Sequence, residues 1–411
     1  MGEYADAAAQ ARRRYVLIAL VFFGTVLSYV DRQVLALLKP TLEATFHWSD
    51  EDFAHLGSAF SLAMASSVLF SGWLVDRFGV RIAYGWAVAV WSLAGMAHTA
   101  AATVTQFVMA RVTLALGESV SGPATVKATA QYLPLRERSF GLGVIATAPS
   151  IGAILTPLVI PVVAVTFGWK SAFLLTGGLG VIWVAFWLLG TRHLHSTAAA
   201  TSGDAKAGVD WEALFTDRRT WAITGSKALA DMVWWFLLFW IPDLFSKVFG
   251  LTQTEIGGPV ALTYAMAALG ALASGGLFPA LLRRGLSVNA ARKSSMLLFS
   301  VLILALPLAL HVGSAWTAAA IIGVALFAHN GFVTNIFGLT ADIVPLQRVG
   351  TVTALSSVAG NLSGMAMIEF AGWSLTNGHG YWPMFAVASV AYLAATLLLH
   401  LVVPRIELVH A

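Results

Sequence analysis

The stretch Gly72-Trp-Leu-Val-Asp76-Arg77-Phe-Gly79-Val-Arg81 joins two long apolar runs, near residues 53–75 and 81–103. An acidic residue, two arginines and two glycines in so short a connection can end one helix and form ion pairs with the end of another. A plain positively charged loop would explain the arginines, but it would explain neither Asp76 nor the spacing of the glycines. We therefore predict that Asp76, Arg77 and Arg81 form a conformational latch between moving helices.

The whole chain has the composition of a protein that crosses a membrane many times. Of its 411 residues, 58% are hydrophobic and 11% are charged, whereas a soluble domain carries about 25% charged residues. One membrane-spanning helix needs about 20 apolar residues, so the chain has enough for about twelve. The apolar runs predict spans near 15–38, 53–75, 81–103, 106–127, 139–165, 170–190, 220–247, 255–283, 291–312, 315–340, 348–375 and 381–403.

A polar stretch, residues 193–219, separates the first six spans from the last six. It is rich in Ala, Thr, Ser, Gly and Asp, and a segment of this kind cannot bury a core. We expect an N-terminal six-helix bundle over residues 1–190, a cytoplasmic central loop over 191–219 and a C-terminal six-helix bundle over 220–411. Because residues 12–14 run into an apolar stretch too long for a signal peptide, we expect the first span to remain in the protein.

Basic residues predict the orientation, because they are enriched in cytoplasmic loops. With the N-terminus in the cytoplasm, 17 of the 24 basic residues are cytoplasmic and three, Lys39, Lys170 and Lys247, lie on the opposite side. Both termini are therefore predicted to be cytoplasmic. This distribution accounts for the net charge of +4 without a nucleic-acid partner. The lack of cysteine excludes thiol catalysis, cysteine-bound metals and disulfides.

Eight charged residues fall within or at the ends of the predicted spans, and they are the first candidates for function. A charge at the bilayer centre is costly and normally faces the protein interior or a water-filled path. These residues are Asp31, Arg32, Arg111, Glu118, Lys127, Lys227, Asp231 and Glu369. Lys127 fits a lysine that snorkels at a helix end at least as well as a cavity cation. We assign no role to Asp231 or Glu369, which we expect near span ends and in contact with solvent.

Helix geometry suggests how four of these charges work together. Asp31 and Arg32 point about 100° apart on a helix, whereas Arg111 and Glu118 lie two turns apart on one face. The economical arrangement pairs Asp31 with Arg111, which leaves Arg32 to bind an anion and Glu118 to carry a proton. A guanidinium binds a carboxylate through two parallel hydrogen bonds, and burial favours the protonated form of a carboxyl group. The alternative is a static ion-pair network that holds the first bundle together.

Other polar and aromatic residues are candidates for the rest of a pocket. Trp234 or Trp235 would stack on the apolar face of a substrate, or else belong to a core or lipid-facing aromatic stripe. Asn361 is a candidate for binding hydroxyl groups. The tenth span offers His329, Asn330, Thr334 and Asn335. Residues 330 and 334 share one face and 331 and 335 share another, so only some of these groups can line one cavity.

Several segments resemble a known family. The stretch at 72–81 resembles the signature loop of the major facilitator superfamily, although Ile82 stands where a second basic residue is usual, and residues 276–285 resemble its degraded second copy. A finer resemblance, to the anion:cation symporter family and its hexuronate transporter group, lies in residues 28–33, 111–118, 233–242, 285–293 and 328–331. It extends along nearly the whole chain. The resemblance implies an all-α fold of twelve transmembrane helices in two pseudo-symmetric bundles, in a bacterial inner membrane.

The chain departs from the hexuronate pattern at positions that would bind sugar hydroxyls. Members of that group tend to have an aromatic hydroxyl in span 2 and asparagines in spans 4 and 5, where this chain has Met64, Ser121, Ala146 and Ser150. A site built to pair with a hydroxyl discriminates strongly, and losing the partner relaxes that discrimination. We therefore expect a substrate that is smaller or less hydroxylated than a hexuronate.

Together these observations predict a transporter that couples a proton to a small organic anion, a sugar acid or a smaller carboxylate, by alternating access. Asp31, Glu118 and Arg111 are the predicted proton-coupling residues. The predicted substrate-binding residues are Arg32, Tyr29, Trp234, Trp235, His329, Asn330, Asn335 and Asn361. We expect a monomer in the lipid bilayer that uses no cofactor or metal.

Three alternatives remain at this point. The first is a proton-independent facilitator or exchanger of organic anions. The second is a sensor that binds its ligand without moving it. The third, an enzyme, is disfavoured because the sequence has no recognisable metal motif and no Ser/His/acid set.

Overall fold

A computed structural model describes residues 2–133, 135–192 and 211–406. Within these ranges the chain forms fifteen α-helices, two short 3-10 helices and no strands. The first eight helices, which we call the N half, are α1 (Gly2–Phe46), α2 (Asp50–Phe78), α3 (Val80–Ala97), α4 (Val104–Glu118), α5 (Ser121–Tyr132), α6 (Leu135–Ile145), α7 (Ala148–Phe167) and α8 (Trp169–Gly190).

The short helix α9 (Trp211–Thr216) leads from the central segment into the second group. The remaining helices, which we call the C half, are α10 (Arg218–Phe249), α11 (Gly257–Arg283), α12 (Val288–Ile303), α13 (Ala315–Ile343), α14 (Leu346–Thr376) and α15 (Trp382–Val402). Of the central loop predicted over 191–219, residues 193–210 lie outside the described residues. The part that is described is largely helical, because α9 and the start of α10 fall within it.

The helices are consistent with twelve membrane spans. By length and composition, ten described helices could cross a bilayer, and eleven could do so if the bent helix α2 is counted as one span. The remaining expected span is split into α4, of 15 residues, and α5, of 12 residues. The span predicted over 139–165 is also interrupted, between α6 and α7, just before Pro149. Non-helical backbone at membrane depth is tolerated where it lines a water-filled cavity.

The stretch that opened the sequence analysis is mostly helical. Helix α2 continues through Phe78, and α3 begins at Val80, so Gly79 alone makes the turn. Its φ of 75° lies in a region that L-amino acids with side chains rarely adopt. At the other end of α2, the Ser49 hydroxyl accepts a hydrogen bond from the Asp52 amide, and the Asp52 carboxylate accepts one from the Ser49 amide. This capping box defines where α2 begins.

The two halves pack mainly within themselves and meet along a few helices. In the N half, α1 packs on α7 and α8, and α3 packs on α4 and α8; in the C half, α10 packs on α14 and α15, and α11 packs on α13. Contacts between the halves run from α2 to α14, from α7 to α11 and from α1 to α10. The interface is therefore made of long helices from both halves, and the cavity described next lies between them.

Candidate functional site

A cavity of about 620 Å³ lies between the two halves. Its walls come from α1, α2, α4, α5 and α7 on one side and from α10, α11, α13 and α14 on the other. The breaks at 119–120 and 146–147 bring residues of the interrupted spans onto this wall. The residues from the predicted site that line the cavity are Tyr29, Arg32, Glu118, Trp234, Trp235, His329, Asn330 and Asn361.

Arg32 and Glu118 form an ion pair on the N-half wall. The Arg32 Nε donates to the Glu118 Oε2 over 2.6 Å, and the two side chains are 13% and 0% exposed. The second carboxylate oxygen of Glu118, Oε1, is buried and has no hydrogen-bond partner. The guanidinium also lies 4.8 Å from the ring centre of Tyr29. A cation and a carboxyl group are thus held together at the edge of the cavity.

This pairing differs from the expected one, in which Asp31 pairs with Arg111. Arg111 is buried and donates to two main-chain carbonyl oxygens of α1, those of Asp31 at 3.3 Å and Arg32 at 3.2 Å. The Asp31 carboxyl interacts instead with the side chain of Thr176 in α8, and its Oδ2 has no hydrogen-bond partner. The reason is that the Asp31 side chain is directed toward α8, so that Arg111 meets the main chain of α1 rather than the carboxylate. Neither Asp31 nor Arg111 lines the cavity.

The C-half wall is built from polar groups that the surrounding helices hold in place. Trp234 stacks on His329 with ring centres 5.0 Å apart, and the His329 Nδ1 lies 2.6 Å from the Tyr392 hydroxyl. The Asn330 Nδ2 donates to the Ala267 carbonyl oxygen over 2.8 Å. The Asn361 Nδ2 donates to the Ser357 carbonyl oxygen of its own helix over 2.8 Å, and its buried Oδ1 has no hydrogen-bond partner. A buried acceptor without a partner is rare in proteins.

Asn335, which was also predicted to bind substrate, does not line the cavity in this conformation. It is buried inside the C half, where its Nδ2 donates to the hydroxyl groups of Ser274 and Ser295. Its Oδ1 accepts from Arg292, which also pairs with Asp342 at 2.9 Å. Positions 330 and 335 point to different faces of α13, and only the first faces the cavity.

Sequence reasoning missed a second ion pair in the cavity. Lys227 and Asp231, both on α10, bind each other and line the C-half wall. Both are largely buried rather than solvated at a span end as expected for Asp231. Their separation of four residues, which brings two side chains together on a helix, was visible in the sequence.

A larger cluster, also missed, joins the two halves beyond one end of the cavity. We call it the Lys39 network; it consists of Lys39, Glu43, Asp50, Asp243, Lys247 and Tyr381. The Lys39 ammonium is buried and donates to Glu43 at 2.5 Å and to Asp50 and Asp243 at 2.6 Å. Lys247 donates to Asp50 at 2.6 Å. Two helices of the N half are thereby tied to α10.

The three carboxylates of the Lys39 network lie close enough together to hold a metal ion. The ammonium groups of Lys39 and Lys247 already lie among them and balance most of their charge. The network is therefore complete as an ion cluster without a metal.

The predicted latch residues make their contacts within the N half. Asp76 accepts from Lys127 of α5 at 2.7 Å, and Arg81 donates to the Thr191 hydroxyl and the Leu188 carbonyl oxygen. Arg77 is exposed. We call this end of the molecule the Asp76 end and the opposite one the Lys39 end.

The cavity lies on the Asp76 side of the Lys39 network, because its lining residues on α1 and α2 lie at 25–32 and 64–68. Lys39 is seven residues beyond Arg32 on α1, or about 10 Å further along the helix axis. The hydrogen bonds between described residues of the two halves cluster at the Lys39 end, where Thr41 contacts Gln253, Glu51 contacts Thr376 and Ser58 contacts Met365. The Lys39 end is therefore closed in this conformation.

Sequence comparison identifies the family. The profile of the Major Facilitator Superfamily matches residues 21–368. The chain belongs to this superfamily. The prediction from the sequence is thus confirmed, and so is the predicted class, an all-α multi-pass membrane transporter rather than an enzyme.

Two curated relatives match this chain over nearly its whole length. The D-galactonate transporter of Escherichia coli O6:H1 is 25% identical over 95% of this chain and 96% of its own. The hexuronate transporter of Escherichia coli K12 is 26% identical over 96% of this chain and 95% of its own.

A solved structure shows the same fold. The bacterial homologue of the human lysosomal transporter Spinster, in an inward-facing and occupied conformation, superposes with a TM-score of 0.77. It is 18% identical, over 95% of this chain and 96% of its own.

Proposed function

We propose that this transporter moves a sugar acid or a smaller carboxylate together with a proton, by alternating access between its two halves. The observation that carries the proposal is the Arg32–Glu118 ion pair on the cavity wall. Its cation would bind the anionic substrate, and its carboxyl group would carry the proton.

The geometry of Arg32 supports anion binding. Glu118 accepts from the Nε of Arg32, and the Tyr29 side chain also interacts with the guanidinium. The remaining N–H groups of Arg32 can bind a substrate. A guanidinium binds a carboxylate through two parallel hydrogen bonds. Tyr29 beside it offers a ring and a hydroxyl group on the same wall.

The names of the relatives support a sugar acid. Both D-galactonate and hexuronates carry a carboxylate and several hydroxyl groups. The four positions at which this chain lacks the hydroxyl-binding residues of the hexuronate group, Met64, Ser121, Ala146 and Ser150, all line the cavity. This wall offers fewer hydrogen bonds to sugar hydroxyl groups than the hexuronate pattern does, so among the sugar acids and smaller carboxylates that it accepts, those with fewer hydroxyl groups should bind more tightly, since unpaired polar groups of a substrate lose their hydrogen bonds to water.

The burial of Glu118 supports proton coupling. Its side chain is fully buried, and its Oε1 can take a proton without breaking a hydrogen bond. Protonation removes the negative charge that holds Arg32, so the arginine becomes free to bind a carboxylate. The pair is neutral when empty and has one positive charge when protonated, which matches a substrate with one negative charge. Asp31 and Arg111 do not line the cavity and would influence this pair indirectly, through the hydrogen bonds that Arg111 donates to the main chain of α1 at residues 31 and 32.

The closed Lys39 end supports alternating access. With both termini in the cytoplasm, as the basic residues indicate, the cavity faces inward and the Lys39 network closes the outer side. In the opposite state this network would separate, and the latch residues Asp76, Arg77 and Arg81 would contact the C half. The halves defined by α1–α8 and α10–α15 are then the moving units.

Uptake into proteoliposomes tests the coupling. We expect galacturonate or galactonate to accumulate in wild-type vesicles when a proton gradient is imposed. Glu118→Gln should retain substrate exchange across the membrane but lose accumulation and its dependence on pH, because it cannot release a proton. Arg32→Gln should lose substrate binding. The exposed residue Glu212, changed to Gln, is the matched control and should transport as the wild type does.

Two outcomes would contradict the proposal. Undiminished, pH-dependent accumulation by Glu118→Gln would remove Glu118 from its role. Substrate exchange by the wild type with no proton movement would favour a facilitator or an exchanger.

A further inference from the structure

The cavity contains charges in equal numbers on its two walls. Among the described residues that line it, the acidic and basic ones are Arg32 and Glu118 in the N half and Lys227 and Asp231 in the C half. Each wall thus carries one cation and one carboxylate that bind each other. The proposed function uses only the first pair.

The second pair is not needed to hold the helices together. Lys227 and Asp231 belong to the same helix, four residues apart, so their contact joins neither two helices nor the two halves. Burying two charges costs several kcal/mol for each ion before their attraction is counted. Charged residues within membrane spans usually have a function for this reason.

The surroundings of the pair leave it facing the cavity. The Lys227 ammonium lies 5.7 Å from the ring centre of Phe337, which also lines the wall. Asp231 packs against α14 at Gly360, where an added Cβ atom would come within 2.9 Å of the carboxyl carbon. The other titratable groups nearby are His329 and Tyr392, which bind each other. Among the described residues of the C-half wall, Lys227 and Asp231 are the only Lys, Arg, Asp or Glu side chains that line the cavity.

We propose that Lys227 binds a second acidic group, so that the transporter accepts dicarboxylates, with one carboxylate on Arg32 and the other on Lys227. The class would include aldaric acids, which are sugar acids with a carboxylate at each end. This inference rests on the proposed function, because it assumes that Arg32 binds the first carboxylate.

Charge balance supports two protons for each dicarboxylate. With both acidic residues ionised, the empty cavity is neutral. Protonation of Glu118 and Asp231 leaves two positive charges, on Arg32 and Lys227, which match the two negative charges of the substrate. The fully loaded cavity is again neutral, and two protons and one dianion cross together without net charge.

A substrate held at both ends also fits the N-half wall. Two charge-assisted contacts fix its position, so fewer hydroxyl contacts are needed along its length. This agrees with the cavity positions Met64 and Ala146, which offer no hydrogen-bonding side chain.

A matched pair of ligands tests the inference. Galactonate and galactarate are both open-chain six-carbon acids, and they differ in that galactarate has a second carboxylate where galactonate has a CH2OH group. We expect the purified wild-type protein to bind galactarate at least tenfold more tightly than galactonate. In Lys227→Gln this ratio of affinities should fall at least tenfold, and Lys227→Arg, which keeps the charge, should restore most of it. Lys170→Gln, an exposed lysine outside the cavity, is the control and should keep the wild-type ratio.

The proton number gives a second readout. With galactarate as substrate, wild-type transport should be electrically silent. Asp231→Asn should carry one proton fewer and therefore move one net negative charge with each substrate, which capacitive current measurements on proteoliposomes detect.

The outcomes separate this inference from the proposed function. If galactonate accumulates with protons but galactarate does not bind, the inference fails and the proposed function stands. An equal loss of both affinities in Lys227→Gln, with no recovery in Lys227→Arg, would also overturn it. If neither acid binds, or if both bind independently of Arg32, the proposed function itself fails.

Discussion

The two ends of the molecule use charged residues in different ways. At the Lys39 end, the buried side chains of Lys39 and Asp243 form one network with the partly buried carboxylates of Glu43 and Asp50, and this network joins the two halves. At the Asp76 end, the pairs stay within the N half, and the Asp76 side chain is 74% exposed. The closed end is therefore the end at which an ion network with buried members joins the two halves.

The difference follows from the strength of ion pairs in the two environments. An exposed pair contributes about 0–1 kcal/mol, because water and salt screen it. A buried network costs much to desolvate, but removing one member leaves uncompensated charges and is destabilising by about 3–5 kcal/mol. The Lys39 network can thus be stable when complete and weak when one member moves, which suits a contact that must break during each transport cycle.

The largest effect is expected for Lys39→Met. Without this ammonium, the carboxylates of Glu43, Asp50 and Asp243 repel one another, with only Lys247 to balance them. The closed state should lose about 3–5 kcal/mol of stability relative to the open state, which is enough to open the Lys39 end in most molecules. Because the chain has no cysteine, spin labels attached to Thr45→Cys and Asn377→Cys can report the distance between the halves there.

We expect that distance to lengthen in Lys39→Met. Lys170→Met, an exposed lysine near the same end, is the control and should leave it unchanged. Labels at Phe78→Cys and Ser287→Cys, at the Asp76 end, should move closer together if the halves rock as rigid units. An unchanged distance between residues 45 and 377 would show that the network does not hold this end closed.

Lys247→Met should have a smaller effect in the same direction. Its side chain is 39% exposed, and Asp50 keeps its contact with Lys39 when Lys247 is removed. We expect the closed state to lose about 1 kcal/mol of stability relative to the open state. This effect of the mutation should be smaller in molar salt, because salt already screens the pair in the wild type. The same spin labels measure it, as the fraction of molecules in the open state. A loss as large as that of Lys39→Met would contradict the link between burial and strength.

Asp76→Asn should leave the closed Lys39 end unchanged and affect only the transport rate. Its pair with Lys127 is exposed, so the free energy of unfolding should change by less than about 0.5 kcal/mol. If the latch forms against the C half in the opposite state, turnover should fall by about threefold, or ~0.7 kcal/mol. Exchange of labelled substrate measures the rate, with Glu212→Gln as the control. Wild-type turnover in Asp76→Asn would mean that Asp76 is not part of a latch.

The sequence predicted the fold well because apolar length alone carries most of that information. Helix α10 was expected over 220–247 and extends over Arg218–Phe249. The breaks at 119–120 and 146–147 were not predicted, although a proline, Pro123 or Pro149, follows each of them by two or three residues and favours the start of a new helix. The breaks lie on the wall of the cavity, where non-helical backbone at membrane depth is tolerated. That cavity exists only after the two halves have packed together.

The site was predicted in part, for a similar reason. Periodicity along one helix indicates which residues share a face, and it brought Arg32 and Glu118 forward as candidates. It does not show which neighbouring helix a face meets. The sequence therefore predicted an ion pair between Asp31 and Arg111, whereas in the structure Arg111 donates to main-chain oxygens of α1 and the Asp31 carboxyl interacts with Thr176. The Lys39 network joins residues 39, 50 and 243, and no local pattern connects positions so far apart in the chain.

The smallest effect is expected for the exposed pair of His55 and Glu369, which also joins the halves at the Lys39 end. Its side chains are 57% and 39% exposed, so Glu369→Gln should change stability by less than about 0.5 kcal/mol and leave the 45–377 distance as it is. Asp243→Asn is the matched carboxylate from the buried network and should open that end. If Glu369→Gln also opened it, position at the interface rather than burial would decide which pairs hold the halves together. If Glu369→Gln leaves the 45–377 distance unchanged and Asp243→Asn lengthens it, burial of the ion pair is the property that decides which pairs hold the halves together.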